Sequence, residues 1–256
     1  MKLADYLEIV AYDIGFWLTA FQNPSYPTAD LGEACIDVCA KLRAAAIIAL
    51  LSRTSYDTFA HNLIRSGRCR VSYLQRVRQT GQPDHHQASA RIDAFLDAVA
   101  AGDFALARDI ASLSPRDWRP GHEYEDDWCH AQIAHALLAP LQDVGRIQSL
   151  FQRWEQVLDG QPEARVPVLR ALADRDAAAF DAAFEALLDQ RTAQIDAERA
   201  RARIEEPALI AGRQIFVEGL AMLRIAVQLG LPTQREYRYC PSVARQGTAP
   251  PLAPEW

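Results

Sequence analysis

Residues Ala208–Leu229 read ALIAGRQIFVEGLAMLRIAVQL, the longest strongly apolar run in the chain. Glu206-Pro207 precede it and Gly230-Leu231-Pro232 follow it. Proline suits the first turn of a helix, where its missing N–H is not needed. Glycine suits the left-handed residue just past a helix end, and a proline soon after prevents continuation. The run therefore reads as one helix over 208–229. Wound at about 100° per residue, Gln214, Glu218, Arg224 and Gln228 share a polar arc of roughly 140°. The rest of the circumference is apolar, so the helix belongs in a protein interior. Arg213, Glu218 and Arg224 make it too polar to span a bilayer. The reading that follows is an all-α protein with this helix at its centre.

Composition agrees. The 256 residues allow ample core, half of them are hydrophobic, and the 12 glycines are thinly spread. Alanine dominates the apolar set, which favours helix over sheet. The net charge of −6 argues against general nucleic-acid binding. Five cysteines, with no zinc-type CxxC pair, read as reduced buried thiols. Cys35 and Cys39, four apart on a helix, share a face. The first 21 residues are apolar but carry Asp5, Glu8 and Asp13, without a basic leader or a cleavage site. They read as a folding helix rather than a signal peptide. No segment has 18 uncharged apolar residues, so no membrane span is expected and a cytoplasmic location is.

Outward from the central run, periodicity predicts helices over 3–22, 29–52, 54–66, 88–101, 103–112, 142–158, 163–173 and 176–205. Another begins at the acids near 123 and ends by Pro140. Ser66-Gly67 reads as a break, and Thr80–His86 and Ser114–Gly121 read as loops. The segments 99–110 and 172–183 are alike: a helix end, a short acidic turn and an alanine-rich helix start. Such units occur in tetratricopeptide-like arrays, and they support antiparallel helix pairs around a shared core. The expected organisation is a single helical domain over 1–238, with possible layers 1–80 and 88–238. A Pro-rich tail over 239–256 follows, extended or disordered unless Trp256 docks. The charged end of the 176–205 helix, with Arg199, Arg201, Arg203, Glu205 and Glu206, should project into solvent.

Three clusters are candidates for chemistry. Arg53–Arg78 is the basic stretch of an acidic chain, with Tyr56, Phe59 and Tyr73 interleaved. Guanidinium groups pair with phosphate and aromatics stack on bases; solvated or carboxylate-paired helix faces are the plainer reading. His85-His86 is a weak metal signal, because adjacent side chains diverge and two ligands are too few. The sharpest cluster is His122, Glu123, Glu125, Asp126, Asp127, His130 and His135. Asp127 and His130 share a helix face, like half of a Glu-x-x-His di-metal pair, but no second half exists. Acids in a first helical turn satisfy the macrodipole. With Tyr124 and Trp128 among them, Glu123, Glu125, Asp126 and Asp127 also suit a protein partner, since aromatics are enriched at interface hot spots. No nucleophile elbow, Cys–His pair or phosphate-binding glycine loop is present, so no catalytic residue and no cofactor is assigned. Glu218 is the acid placed for a raised pKa; a salt bridge to Arg213, Arg224 or another arginine is the alternative.

The central run also resembles a known family. Phe216-Val217-Glu218-Gly219-Leu220-Ala221, with Arg224, then Gly230-Leu231-Pro232, Glu236-Tyr237 and Pro241, is similar to the C-terminal signature of the immunity protein 49 family, over about 205–242. The resemblance implies a role in a bacterial polymorphic toxin system. Such members are encoded beside a toxin and protect the producing cell and its kin by binding it; no catalytic motif carries over. The expected partner is a cognate toxin effector, with a nuclease the class whose basic cleft suits an acidic surface, and neither nucleic acid nor membrane is an expected partner. The competing readings are a tetratricopeptide-like scaffold for another protein or peptide and a metal-dependent helical enzyme.

Overall fold

The computed structural model describes residues 3–82, 84–201, 207–247 and 251–252. Within them the chain is helical, without strands. Helices α1 (Leu3–Gln22), α2 (Thr28–Arg53) and α3 (Tyr56–Thr80) form an antiparallel layer. The short pair α4 (Asp93–Ala101) and α5 (Phe104–Leu113) packs on α3. Two hairpins follow, α6 (Glu125–Leu137) with α7 (Val144–Leu158) and α8 (Arg165–Asp174) with α9 (Ala177–Arg201). Finally α10 (Pro207–Gln214) lies on α2, and α11 (Val217–Gln228) lies between α4 and α8. One hydrophobic cluster runs through all of these elements from α1 to α11.

The centre is α4 against α11. Every residue of α4 from Ala94 to Ala101 is buried, including Asp97. Arg43 reaches Asp97 at 2.6 Å and Asp93 at 2.6 Å, and Ser66 donates to Asp97 at 2.6 Å. Burial pushes the Asp97 carboxyl up to about 7 against the pull of Arg43. On α11, Gly219 to Leu223, Ile225 and Ala226 are buried, as expected of a central helix. Its end is the expected glycine cap. Gly230 has φ +84°, Leu231 N–H donates to Ala226 C=O at 2.9 Å, and Gly230 N–H donates to Val227 C=O at 3.0 Å. That is a Schellman closure.

Three expectations are corrected. The run 208–229 is two helices, because Ile215 and Phe216 lie between them in non-helical backbone. Phe216 is extended (φ −95°, ψ 90°), and its N–H donates to Tyr239 C=O at 2.8 Å. Apolarity alone could not reveal this, since Ile215 is buried in either conformation. The break at Ser66-Gly67 is absent, and α3 continues to Thr80. Those small residues mark close packing instead: a Cβ on Gly67 would stand 2.6 Å from Leu106 Cδ2 and 3.3 Å from Ala98 Cβ. Third, 239–247 is packed rather than extended. Cys240 and Ala244 are wholly buried, Pro241 leads into a 3-10 turn at Ser242–Arg245, and Glu236 accepts from Ser242 N–H at 2.9 Å. Arg203, Glu205, Glu206 and Trp256, which carried further expectations, lie outside the described residues.

Candidate functional site

The acidic segment before and within the first turn of α6 is where composition placed a partner surface. The fold divides its residues. Glu123 turns inward: its Oε2 accepts from Ala90 N–H at 2.9 Å and from Ser89 Oγ at 3.4 Å, and its carbonyl accepts from Trp118 Nε1 at 3.3 Å. Glu125 meets Arg153 Nε at 2.5 Å. Arg153 in turn lies 4.5 Å from the Trp128 ring centroid and 5.4 Å from that of Trp118. Trp128 is only 5% exposed, so it forms the floor of the segment rather than an accessible contact. Tyr124 is 79% exposed and Asp126 is half-buried. Beside them runs a shallow polar groove lined by Glu125, Ser149, Gln152, Arg153, Gln156 and Val157 of α6 and α7.

Beneath this surface a charged network joins three elements. Arg165 of α8 donates to Glu163 at 2.8 Å, lies 3.4 Å from Asp127 Oδ1, and donates to His130 Nδ1 at 3.2 Å. Because Nδ1 accepts, the His130 proton belongs on Nε2, which faces Glu218 Oε1 at 3.4 Å. Burial, then the positive field of Arg165, holds the His130 pKa well below its usual value. Burial raises that of Glu218 against the attraction of Arg165. The Asp127–His130 pair is thus spanned by a guanidinium, a fixed cation in the place where a metal would be needed. His122 is exposed on the preceding loop and His135 stacks edge-on against Phe95 at 4.6 Å, so the seven-residue cluster does not converge.

Glu218 finds neither of its two named arginines. Arg213 pairs with Glu198 at 3.4 Å, while Arg224 donates to the Tyr56 hydroxyl at 2.8 Å and to Gly247 C=O at 3.2 Å. The groups nearest it come instead from α6 and α8: His130 Nε2 stands 3.4 Å from its Oε1 without closing a hydrogen bond, and Arg165 attracts it through space. Arg165 and Glu163, the residues that complete the network, carried no sequence signal, because only the fold brings α8 against α6.

Among the other signature residues, Gly219, Leu220 and Tyr237 are packed into the interior. A Cβ on Gly219 would lie 2.5 Å from the Phe216 ring and 2.8 Å from Cys240 Sγ, so only glycine lets the Phe216 ring and Cys240 approach α11. Leu220 is fully buried. The Tyr237 ring packs edge-on against Phe184 at 5.0 Å, and its hydroxyl accepts from Gln234 N–H at 2.9 Å and donates to Asp181 at 3.2 Å. Pro232 is exposed just beyond the glycine cap.

The basic stretch is partly absorbed by structure. Arg70, 2% exposed, donates to His86 C=O at 2.7 Å and Ala88 C=O at 3.0 Å. Arg76 donates to the carbonyls of Phe21, Asn23, Pro24 and Tyr26 around the end of α1. His85 and His86 form a 3-10 turn capped by Asp84, which accepts from His86 N–H at 2.8 Å and from the Tyr73 hydroxyl at 2.5 Å.

Comparison with known proteins gives one match. A family model described as Immunity protein 49 matches residues 37–244, from the middle of α2 to the last 3-10 turn. No curated protein and no solved structure matches the chain.

Proposed function

The chain belongs to the immunity protein 49 family, and we propose that it neutralises a cognate bacterial toxin by stoichiometric binding rather than by catalysis. The observation that carries this reading is the family match across 37–244, which takes in the core from α2 through the packed C-terminal turn. The partner surface is the start of α6 with the α6–α7 groove. Tyr124 supplies an exposed aromatic anchor of the kind that dominates interface energetics. Asp126, with the outer edges of Glu125 and Asp127, supplies negative charge; Glu123 and Trp128 hold the segment in shape. A basic toxin, such as a nuclease, is the complementary partner, and charge steering would speed its capture. The toxin's active site is blocked by occlusion.

The test is co-expression with the product of the neighbouring gene. Growth rescue and a co-purifying 1:1 complex are expected. Tyr124→Ala and Asp126→Lys should each weaken that complex about tenfold or more, on the scale of hot-spot truncation, with an unchanged circular dichroism spectrum. The outer face of α1 offers the natural control, because Ile9, Tyr12 and Phe16 are exposed there. Binding lost in Tyr12→Asp and retained in Tyr124→Ala would overturn the assignment of the face. A neighbour that still kills in the protein's presence would overturn the immunity reading toward that neighbour.

A further inference from the structure

Three of the five cysteines meet in one place. Cys35 and Cys39 lie one turn apart on α2, and Cys69 faces them from α3, the helix that packs most extensively on α2. All three are buried, at 1%, 5% and 0% exposed. The Cys35 and Cys69 sulfurs are 3.9 Å apart, and all three sulfurs lie within 4.8 Å of one another. Cys129 and Cys240 are buried elsewhere and take no part.

Packing alone does not call for what surrounds them. A cavity of about 260 Å³ adjoins the cluster; its lining includes Cys35, Cys39 and Arg43 of α2 and Arg70, Arg91 and Asp93 among mostly apolar side chains. Arg70 is nearly fully buried, and its Nε has no hydrogen-bond partner. Thiols in an apolar interior are inert and hold their protons. Here the other two thiols, and more weakly the Arg70 guanidinium, draw the Cys35 pKa well below its usual value. Burial raises that of Cys69, and hydrogen bonding to Cys35 raises that of Cys39.

We propose that Cys35, Cys39 and Cys69 form a three-sulfur site for a soft, thiophilic cation, best suited to Cu(I). A metal–sulfur bond of about 2.3 Å in a flat three-coordinate set gives sulfur–sulfur edges of about 4.0 Å. The Cys35–Cys69 edge already stands at 3.9 Å, and the Cys39 sulfur, which donates to Ser66 C=O at 3.3 Å, lies within 4.8 Å of both. Thiolate sulfur selects soft ions such as Cu(I) over hard ones. Structural zinc takes four protein ligands, and the cluster supplies three. Three thiolates around a monovalent cation carry a net charge of −2, which the buried Arg70 beside the cluster offsets in part. The cavity gives ion and departing protons a route. Binding expels the protons still held by the thiols, so affinity rises with pH.

The test is an anaerobic titration of the reduced full-length chain with Cu(I) against a chromogenic Cu(I) chelator, with zinc in a parallel arm. The expected result is one Cu(I) per chain, with X-ray absorption reporting three sulfur neighbours. Cys35→Ser and Cys69→Ser should each weaken binding at least a hundredfold while keeping the wild-type circular dichroism spectrum; Cys129→Ser, at a buried thiol outside the cluster, should leave it unchanged. If one cluster variant fails to fold, the other decides. Cu(I) should also raise the thermal midpoint of the wild type and not of the folded cluster variant. The proposal is overturned if the chelator strips all Cu(I), if the cluster variants bind like the wild type, if zinc binds and Cu(I) does not, or if the reduced cysteines close into a disulfide instead of loading metal.

Discussion

His135 offers a direct reading of the energetic cost of the core. Its ring stacks against Phe95, and its Nε2 is sealed from solvent without a hydrogen-bond partner. Burial, followed by the fields of Arg70 and Arg146, lowers its pKa to about 3. The unfolded chain would titrate it near 6.5. A histidine with a lowered folded pKa contributes stability that is fully present above the unfolded pKa and is lost as pH falls toward the folded one. Between pH 7.5 and 5.0 the unfolded state takes up nearly all of its proton and the native state takes up almost none, which costs about 2 kcal/mol. Other groups titrate in the same range. Glu218, whose pKa is raised, stabilises the fold as pH falls, while His130 acts in the same direction as His135. The difference between wild type and His135→Leu cancels them. Urea unfolding at both pH values should show the wild type losing about 2 kcal/mol more than His135→Leu over that interval. Equal losses in the two chains would mean that the ring is protonated in the native state and that its burial is not what the structure implies.

Two further predictions follow from the same geometry. Gly219→Ala should cost about 1–3 kcal/mol, the usual range for overpacking, because the new methyl meets Phe216 and Cys240 Sγ; Gly212→Ala on α10, with nothing within 4 Å of its Cβ, should be neutral or slightly stabilising in the same urea assay. Arg165→Met should cost about 2–3 kcal/mol, somewhat below the loss from breaking a fully buried ion pair, since Arg165 is 22% exposed while Glu163, Asp127 and Glu218 all lose their shared cation; destabilisation below about 0.5 kcal/mol, the scale of an exposed pair, would show that the network is solvated.

Most of the helical architecture was legible because it rests on local signals. The apolar stripe of 3–22, the glycine closure at Gly230, and the proline stops each act within a few residues. What escaped the sequence depends on contacts distant along the chain. Phe216 leaves the helix because Tyr239 offers a carbonyl to its N–H. Gly67 stays in the helix because Leu106 and Ala98 press on it. The tail from Tyr239 to Gly247 lacks periodicity, yet Cys240 fills the space left by Gly219 and the Gly247 carbonyl receives Tyr56 and Arg224. The candidate surface was legible only as composition. Sequence shows four acids and two aromatics together; it does not show that Arg153 and Arg165 are drawn to two of those acids, or that Trp128 turns inward.

That division of labour bears on how the proposed surface would work. Ordering a mobile loop on binding costs about 0.5–1.5 kcal/mol for each immobilised side chain. At the start of α6 much of that ordering is already complete: Glu123 is bonded to the backbone of Ala90, Glu125 and Trp128 grip Arg153 from two sides, and Arg165 lies against Asp127. Tyr124 is thereby presented on a fixed backbone between two anchored neighbours. The same Arg165 donates to His130, whose Nε2 stands 3.4 Å from Glu218 of the signature helix α11. A change at Arg165 would therefore loosen the proposed face without touching a partner, weakening capture through the cost of ordering rather than through a lost contact. Dissociation would quicken, with association and its salt dependence little changed, whereas Asp126→Lys would slow association and alter its salt dependence.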